Sequence, residues 1–161
     1  MGLEVTYTLI PVALVAAIFA FTYHAEQKVD RVDPHPAVTV QVDAFQWQWR
    51  FTYPGGVTVV GTPGSPPTLV LPAGETTRIV LRSEDVDHAF YVPDFLFQRQ
   101  AIPGVTNTFD LTIPNPGRWP GQCSLYCGLD HTSMTFAVQA LSPAAFERWL
   151  TDHGSPTGTG A

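Results

Sequence analysis

Lysine is almost missing from this sequence: Lys28 is the only one among 161 residues. With 14 acidic against 8 basic side chains the formal net charge is −6. No basic patch exists to neutralise phosphates, which excludes nucleic acid as a partner. Beyond Arg31 the balance is 11 acidic to 6 basic residues, so a basic partner would be steered to that part of the chain. Cysteine is scarce as well. Cys123 and Cys127 are the whole supply, which rules out the disulfide framework that holds small secreted domains together. A bridge between two residues so close would barely restrict the unfolded chain, so the pair needs another explanation. Charged residues make up 14% of the chain and hydrophobic ones 45%, a balance that argues against disorder. The length leaves room for one ordinary domain with a short appendage, and no internal repeat is present.

Residues 5–23, VTYTLIPVALVAAIFAFTY, carry no charge. At ~1.5 Å per residue such a run spans roughly the ~30 Å hydrocarbon core of a bilayer. The sequence therefore predicts a transmembrane helix within residues 1–27. The alternative is a cleavable signal peptide, but Glu4 stands where a basic residue belongs, the run is long, and no small-residue cleavage site follows. Pro11 lies inside the run and is tolerated where neighbouring helices re-satisfy the freed carbonyl. Lys28 and Arg31 follow the helix, and the positive-inside rule leans toward a cytoplasmic soluble part.

After a polar linker over residues 28–36, residues 37–141 read as short strands. Val38, Val40 and Val42 alternate on even positions and Phe45, Trp47, Trp49, Phe51 and Tyr53 on odd ones, so a β-bulge is expected near Asp43 and Ala44. Further runs are TLVL (68–71), TTRIVL (76–81), NTFDLTI (107–113) and MTFAVQAL (134–141), separated by Pro and Gly turn signals. Strands so spaced predict an all-β sandwich or barrel. Ser142 can cap a short helix over 142–153 that begins at Pro143 and groups Phe146, Trp149 and Leu150 on one face. Residues 154–161 are expected to form a mobile tail, having no apolar content to offset their ordering entropy.

Cys123, Cys127, His131 and Met134 fall within twelve residues. Thiolate, imidazole and thioether together select copper over magnesium, calcium or manganese, and a weak Met ligand marks electron-transfer copper. Zinc would more readily take another Cys or His in place of Met134. A mononuclear blue-copper site needs one thiolate, so the second points to two coppers bridged by two sulfurs, with a further imidazole from elsewhere. His88 is the candidate, because His24 abuts the apolar helix, His35 lies in the linker and His153 near the carboxyl end.

The pattern CxxxCxxxHxxM after GRWPGQ, with EDVDHAFYVP (84–93), AIPGVTN (101–107) and FQWQWRF (45–51), resembles subunit II of the cytochrome c oxidases, in a short single-helix form. The resemblance implies a cupredoxin-like Greek-key sandwich carrying a binuclear copper (CuA) centre. Its ligands would be His88, Cys123, Cys127, His131, Met134 and the Leu125 carbonyl. It implies Trp47, with Gln46 beside it, as the place where electrons enter, with Trp49 the lesser candidate; packing is the favoured reading for Trp49. Glu4 would be the carboxylate at the mouth of a proton pathway. The implied partners are a heme-bearing subunit I and cytochrome c or a similar basic donor. The implied location is the plasma membrane, crossed once, with the soluble domain on the outer, periplasmic side, against the lean of the basic residues.

Three positions depart from the family pattern. Leu125 stands where a carboxylate usually reaches magnesium, Gln100 where an acid and Val105 where an Arg are usual. The leading expectation is the electron-accepting subunit of a terminal respiratory oxidase. A CuA subunit of a membrane nitric oxide reductase and a membrane-tethered copper carrier are the alternatives.

Overall fold

The computed structural model describes residues 2–154, and the chain divides into two compact units between Val32 and Asp33. The first is α1 (Gly2–Val29), with Glu4 in its first turn, Lys28 in its last and Pro11 inside. Its best window has a mean hydropathy of 2.1 and none of its residues is buried. About 42 Å long at ~1.5 Å per residue, it is long and apolar enough to cross a membrane.

The second unit is a sandwich of two five-stranded sheets. The first sheet contains β1 (Val38–Phe45), β2 (Gln48–Thr52), β3 (Thr58–Val60), β5 (Thr76–Ser83) and β8 (Asn107–Thr112), in the order β3-β2-β1-β5-β8. The second contains β4 (Thr68–Pro72), β6 (His88–Val92), β7 (Phe97–Ala101), β9 (Gly117–Cys123) and β10 (Thr135–Leu141), in the order β4-β10-β9-β6-β7. Most neighbours run antiparallel, but β1 pairs with β5 and β10 with β4 in parallel. The inward faces meet in a core of β-branched and aromatic side chains. Val40, Val42, Trp49 and Phe51 from the first sheet face Leu69, Leu71, Phe90, Phe136 and Val138 from the second. The rings meet edge to face, Trp49 lying 5.9 Å from Phe90 and 5.2 Å from Phe136.

The expected bulge at Asp43 and Ala44 is absent. The β1–β2 ladder runs unbroken from Gln41↔Thr52 to Phe45↔Gln48, and the β1–β5 ladder from Val38↔Thr77 to Ala44↔Ser83. The change of apolar phase comes from the reversal of the chain at Gln46 and Trp47. The antiparallel register pairs each even-numbered residue of β1 with an odd-numbered one of β2, as in Val42↔Phe51 and Ala44↔Trp49, so a change of parity keeps the side chains on one face.

Pro120 sits in β9 opposite Ala137 of β10, whereas β6 pairs with β9 only at Gln122 and Cys123. At Pro120 the strand thus has a neighbour on one side only, the position where a missing N–H is tolerated. After β10, α2 (Pro143–Gly154) starts with the Ala145 and Phe146 N–H groups donating to the Ser142 carbonyl, both at 2.9 Å. It buries Phe146 and sets Trp149 against Tyr53 at 4.9 Å between ring centroids. Of the expected mobile tail, residues 155–161 lie outside the described residues.

Candidate metal centre

The centre is built where β6, β9 and β10 converge. Cys123 is the last residue of β9, Met134 immediately precedes β10, and the loop between them is pinched shut by the Cys123 N–H donating to the Met134 carbonyl at 2.9 Å. The Ser124 N–H donates to the Ala89 carbonyl at 3.2 Å, which brings the loop alongside His88 at the start of β6. The β6–β9 register, with Phe90 opposite Cys123, fixes the same approach. Gly128 has φ +124, in the region that favours glycine, and a Cβ there would come within 3.1 Å of the Gln46 Nε2 and Trp47 Nε1 atoms. The glycine therefore permits both the turn and the close seating of Trp47.

Local geometry thus gathers the sulfur and nitrogen donors. Cys123 Sγ lies 3.9 Å from Cys127 Sγ, 3.9 Å from His88 Nδ1 and 3.2 Å from the Leu125 carbonyl oxygen. Cys127 Sγ lies 3.5 Å from His131 Nδ1 and 3.8 Å from Met134 Sδ. The donor atoms of His88, Cys123 and Cys127 all fall within 4.8 Å of one another. Both cysteines are free thiols. His88, Cys123, Cys127 and Met134 are buried, whereas His131 and Leu125 are half-buried, so the centre faces outward along the ligand loop. Trp49 stands behind it, 6.4 Å from the His88 ring.

Electrostatics separate the two thiols. Burial raises the Cys123 thiol, but the His88 imidazole and backbone groups of Ala89 and Leu125 outweigh it and bring the thiol down to about 6. Burial and then the charge on Cys123 push Cys127 up to about 12. Charge on one sulfur thus opposes charge on the other, and a metal that takes both sulfurs must displace a proton. Burial lowers His88, but its bonds to Cys123 and Asp85 overcome this and raise it.

Two thiols, two imidazoles, a thioether and a carbonyl, set close together and shielded from water, fit copper. They do not fit magnesium. That hard cation needs oxygen ligands, and at Leu125 only the backbone carbonyl offers one, already directed at Cys123.

The comparisons with known proteins agree with this chemistry. Residues 65–141 match the model of a family described as cytochrome c oxidase subunit II, periplasmic domain. The chain is similar to the cytochrome c oxidase subunit II family in this segment and in its fold. It is 36% identical to a probable cytochrome c oxidase subunit 2 of Streptomyces avermitilis, over 99% of this chain and 62% of that protein. It spans about three fifths of the length of the curated relatives it matches. Among solved structures, the periplasmic domain of subunit II of the Bradyrhizobium japonicum cytochrome oxidase superposes with a TM-score of 0.68 at 27% identity. That match covers 76% of this chain and 96% of that one. A heme-copper terminal oxidase dimer matches at a TM-score of 0.61 and 20% identity, over 88% and 100% of the two chains, a likeness of fold. The sandwich is accordingly the cupredoxin-like fold of subunit II periplasmic domains.

The other residues singled out from the sequence fall in distinct places. Trp47 and Gln46 cap the centre from the β1–β2 turn, Trp47 Nε1 and Gln46 Nε2 donating to the Cys127 carbonyl at 3.2 and 2.7 Å. Trp49 is fully buried in the core. Glu4 lies in the first turn of α1, where its carbonyl accepts the Thr8 hydroxyl at 2.7 Å. His153 stacks on Trp149 at 4.6 Å. Two residues at the centre escaped the sequence analysis. Tyr126, in the ligand loop, is highly exposed and meets the His131 ring edge on at 5.9 Å. Asp85 was counted only among the acidic residues, yet its Oδ1 lies 2.8 Å from His88 Nε2. A carboxylate three residues before a candidate ligand histidine is the signal that could have found it.

Proposed function

We propose that this chain is the electron-accepting subunit of a terminal respiratory oxidase, with its oxygen-reducing site in a heme-bearing partner chain. Two copper ions would be held by His88, Cys123, Cys127, His131, Met134 and the Leu125 carbonyl. When bound, such a pair takes up and releases one electron with little change in bond lengths. The observation that carries the reading is the mutual approach of two free thiols, each with an imidazole at hand, where one copper would need a single thiolate.

The chain's own residues supply the rest. Burial of His88, both cysteines and Met134 excludes water from the centre. Trp47, half-buried and bonded to the Cys127 carbonyl, offers a ring between the surface and that ligand, with Gln46 fixing the same carbonyl. Glu84, Asp85, Asp87, Asp94 and Asp130 lie in sequence near the ligands, and their charge would steer a basic donor such as cytochrome c. α1 would cross the plasma membrane once, with Glu4 at the inner mouth of a proton pathway and the domain outside.

The test is reduction of the copper-loaded full chain by a basic cytochrome c in stopped flow. Rates should fall as ionic strength rises. Trp47→Phe should slow them severely while leaving copper content and melting temperature nearly unchanged, because a ring of related shape keeps most of the packing. A rate indifferent to both salt and Trp47→Phe would refute this account of electron acceptance.

A further inference from the structure

We infer that Asp85 is a positioning residue that makes His88 a metal ligand and ties the surface turn at Gln46 and Trp47 to that same imidazole. The inference rests on the proposed role of His88 as a copper ligand.

A neutral imidazole that binds metal through Nδ1 must carry its proton on Nε2. The His88 ring is fully buried, and its Nε2 lies 2.8 Å from Asp85 Oδ1. An ionised carboxylate can only accept hydrogen bonds, so this contact places the proton on Nε2. Nδ1, which faces Cys123 Sγ at 3.9 Å, keeps its lone pair for a metal. The carboxylate is itself held in place. The Val86 N–H donates to Oδ1 at 2.6 Å and the Gln46 N–H to Oδ2 at 2.7 Å.

One oxygen thus serves the ligand and the other serves the turn between β1 and β2. The side chains of that turn then reach the opposite side of the centre, where Gln46 and Trp47 both donate to the Cys127 carbonyl. His88 on β6 and Cys127 in the ligand loop are far apart in sequence, yet both are referenced to one turn. Asp85 is the only residue that bonds both the ligand ring and the turn's backbone among these contacts. Without it, the buried imidazole would be free to carry its proton on Nδ1, and the turn bearing Trp47 would lose the Gln46 bond to the β5–β6 connection.

Asp85→Asn tests this in the full-length chain. The amide has a single acceptor oxygen where the carboxylate uses both. Either way one link is lost: with the oxygen toward Val86 and His88 the amide NH2 faces the Gln46 N–H and the turn is released, and with the oxygen on the Gln46 N–H the NH2 faces Nε2 and favours the tautomer protonated on Nδ1, which cannot bind metal there. Copper affinity, measured by competition with a chelator, should fall about 10- to 100-fold. The low-temperature paramagnetic resonance spectrum of what still binds should change, and the reduction potential should rise with the loss of a nearby negative charge. Asp85→Glu should restore part of the affinity. An Asp85→Asn chain with parental affinity, spectrum and potential, beside a parent that binds its copper pair, would overturn the inference and leave the function standing. A parent that binds no copper pair would overturn both. If Asp85→Asn fails to fold, nitrogen-15 shifts of His88 in the unaltered, metal-free chain at alkaline pH decide the matter. They should place the ring proton on Nε2, and a proton on Nδ1 would contradict the inference.

Discussion

The sheet β3-β2-β1-β5-β8 contains none of the proposed ligands, whereas the sheet β4-β10-β9-β6-β7 provides His88 on β6, Cys123 at the end of β9 and Met134 just ahead of β10. The first has eight-residue strands, β1 and β5; β5 alternates inward and outward side chains, as does β1 as far as Val42, after which Asp43 and Ala44 are buried as well, and the sheet serves as a wall. In the second, β6 buries His88, Ala89 and Phe90 in succession, because the ligand loop docks on the Ala89 carbonyl while the core takes Phe90. A sheet that only packs can keep a regular pattern. In the second sheet, bringing the proposed donors from separate strands to one place costs β6 its alternation. Trp49 joins the two, being rooted in β2 and packed on Phe90, Phe136 and His88.

The sharpest way to break the contrast is to remove that joint. Trp49→Ala should cost about 3 to 5 kcal/mol, seen as a large drop in the melting temperature of the metal-free chain, with copper binding lost alongside. Retained stability would mean that the two sheets do not depend on this ring.

A substitution within the ligand loop should behave differently. Cys127→Ser is expected to abolish the two-copper spectrum while moving metal-free stability by about 1 kcal/mol or less. A thermal melt as damaged as that of Trp49→Ala would make Cys127 a structural residue first.

The third effect is smaller and depends on pH. Tyr53 stands beyond β2 and its hydroxyl accepts the Val70 N–H of β4 at 2.7 Å, another bond between the sheets. Burial raises its pKa well above the ordinary value, and the bond from Val70 offsets this only in part. The folded state thus disfavours the phenolate, so this contribution is complete below the unfolded value of about 10 and is lost as pH rises above it. Urea melts should show stability falling above about pH 10. Tyr53→Phe should flatten that fall while costing about 1 to 3 kcal/mol at neutral pH for the unmet Val70 N–H. An unchanged alkaline limb in Tyr53→Phe would assign the loss to other groups.

The same contrast explains what could be read from the sequence. TLVL, TTRIVL, NTFDLTI and MTFAVQAL became β4, β5, β8 and β10, since β5, β8 and β10 bury every second residue and β4 is an unbroken apolar run. β7 and β9 left none. The inner positions of FQRQA are Phe97, Arg99 and Ala101, too little apolar surface to stand out, and GRWPGQC carries the Gly and Pro that ordinarily mark turns. The proposed copper donors stand out in the sequence for a different reason, four of them lying in a twelve-residue segment whose spacing is itself the signal. Asp85 was not, because its partnership with Gln46 exists only after the β1–β2 turn meets the β5–β6 connection, 39 residues apart in sequence. The phase change near Asp43 was legible as a pattern but misassigned, since a bulge and a hairpin of odd register shift parity alike.

The central claim is that two thiolates here hold two coppers. Copper quantification with low-temperature electron paramagnetic resonance on the purified full-length chain tests it most directly. Two coppers per chain and a delocalised mixed-valence spectrum are the predicted result, and one copper per chain with a four-line hyperfine pattern would contradict it.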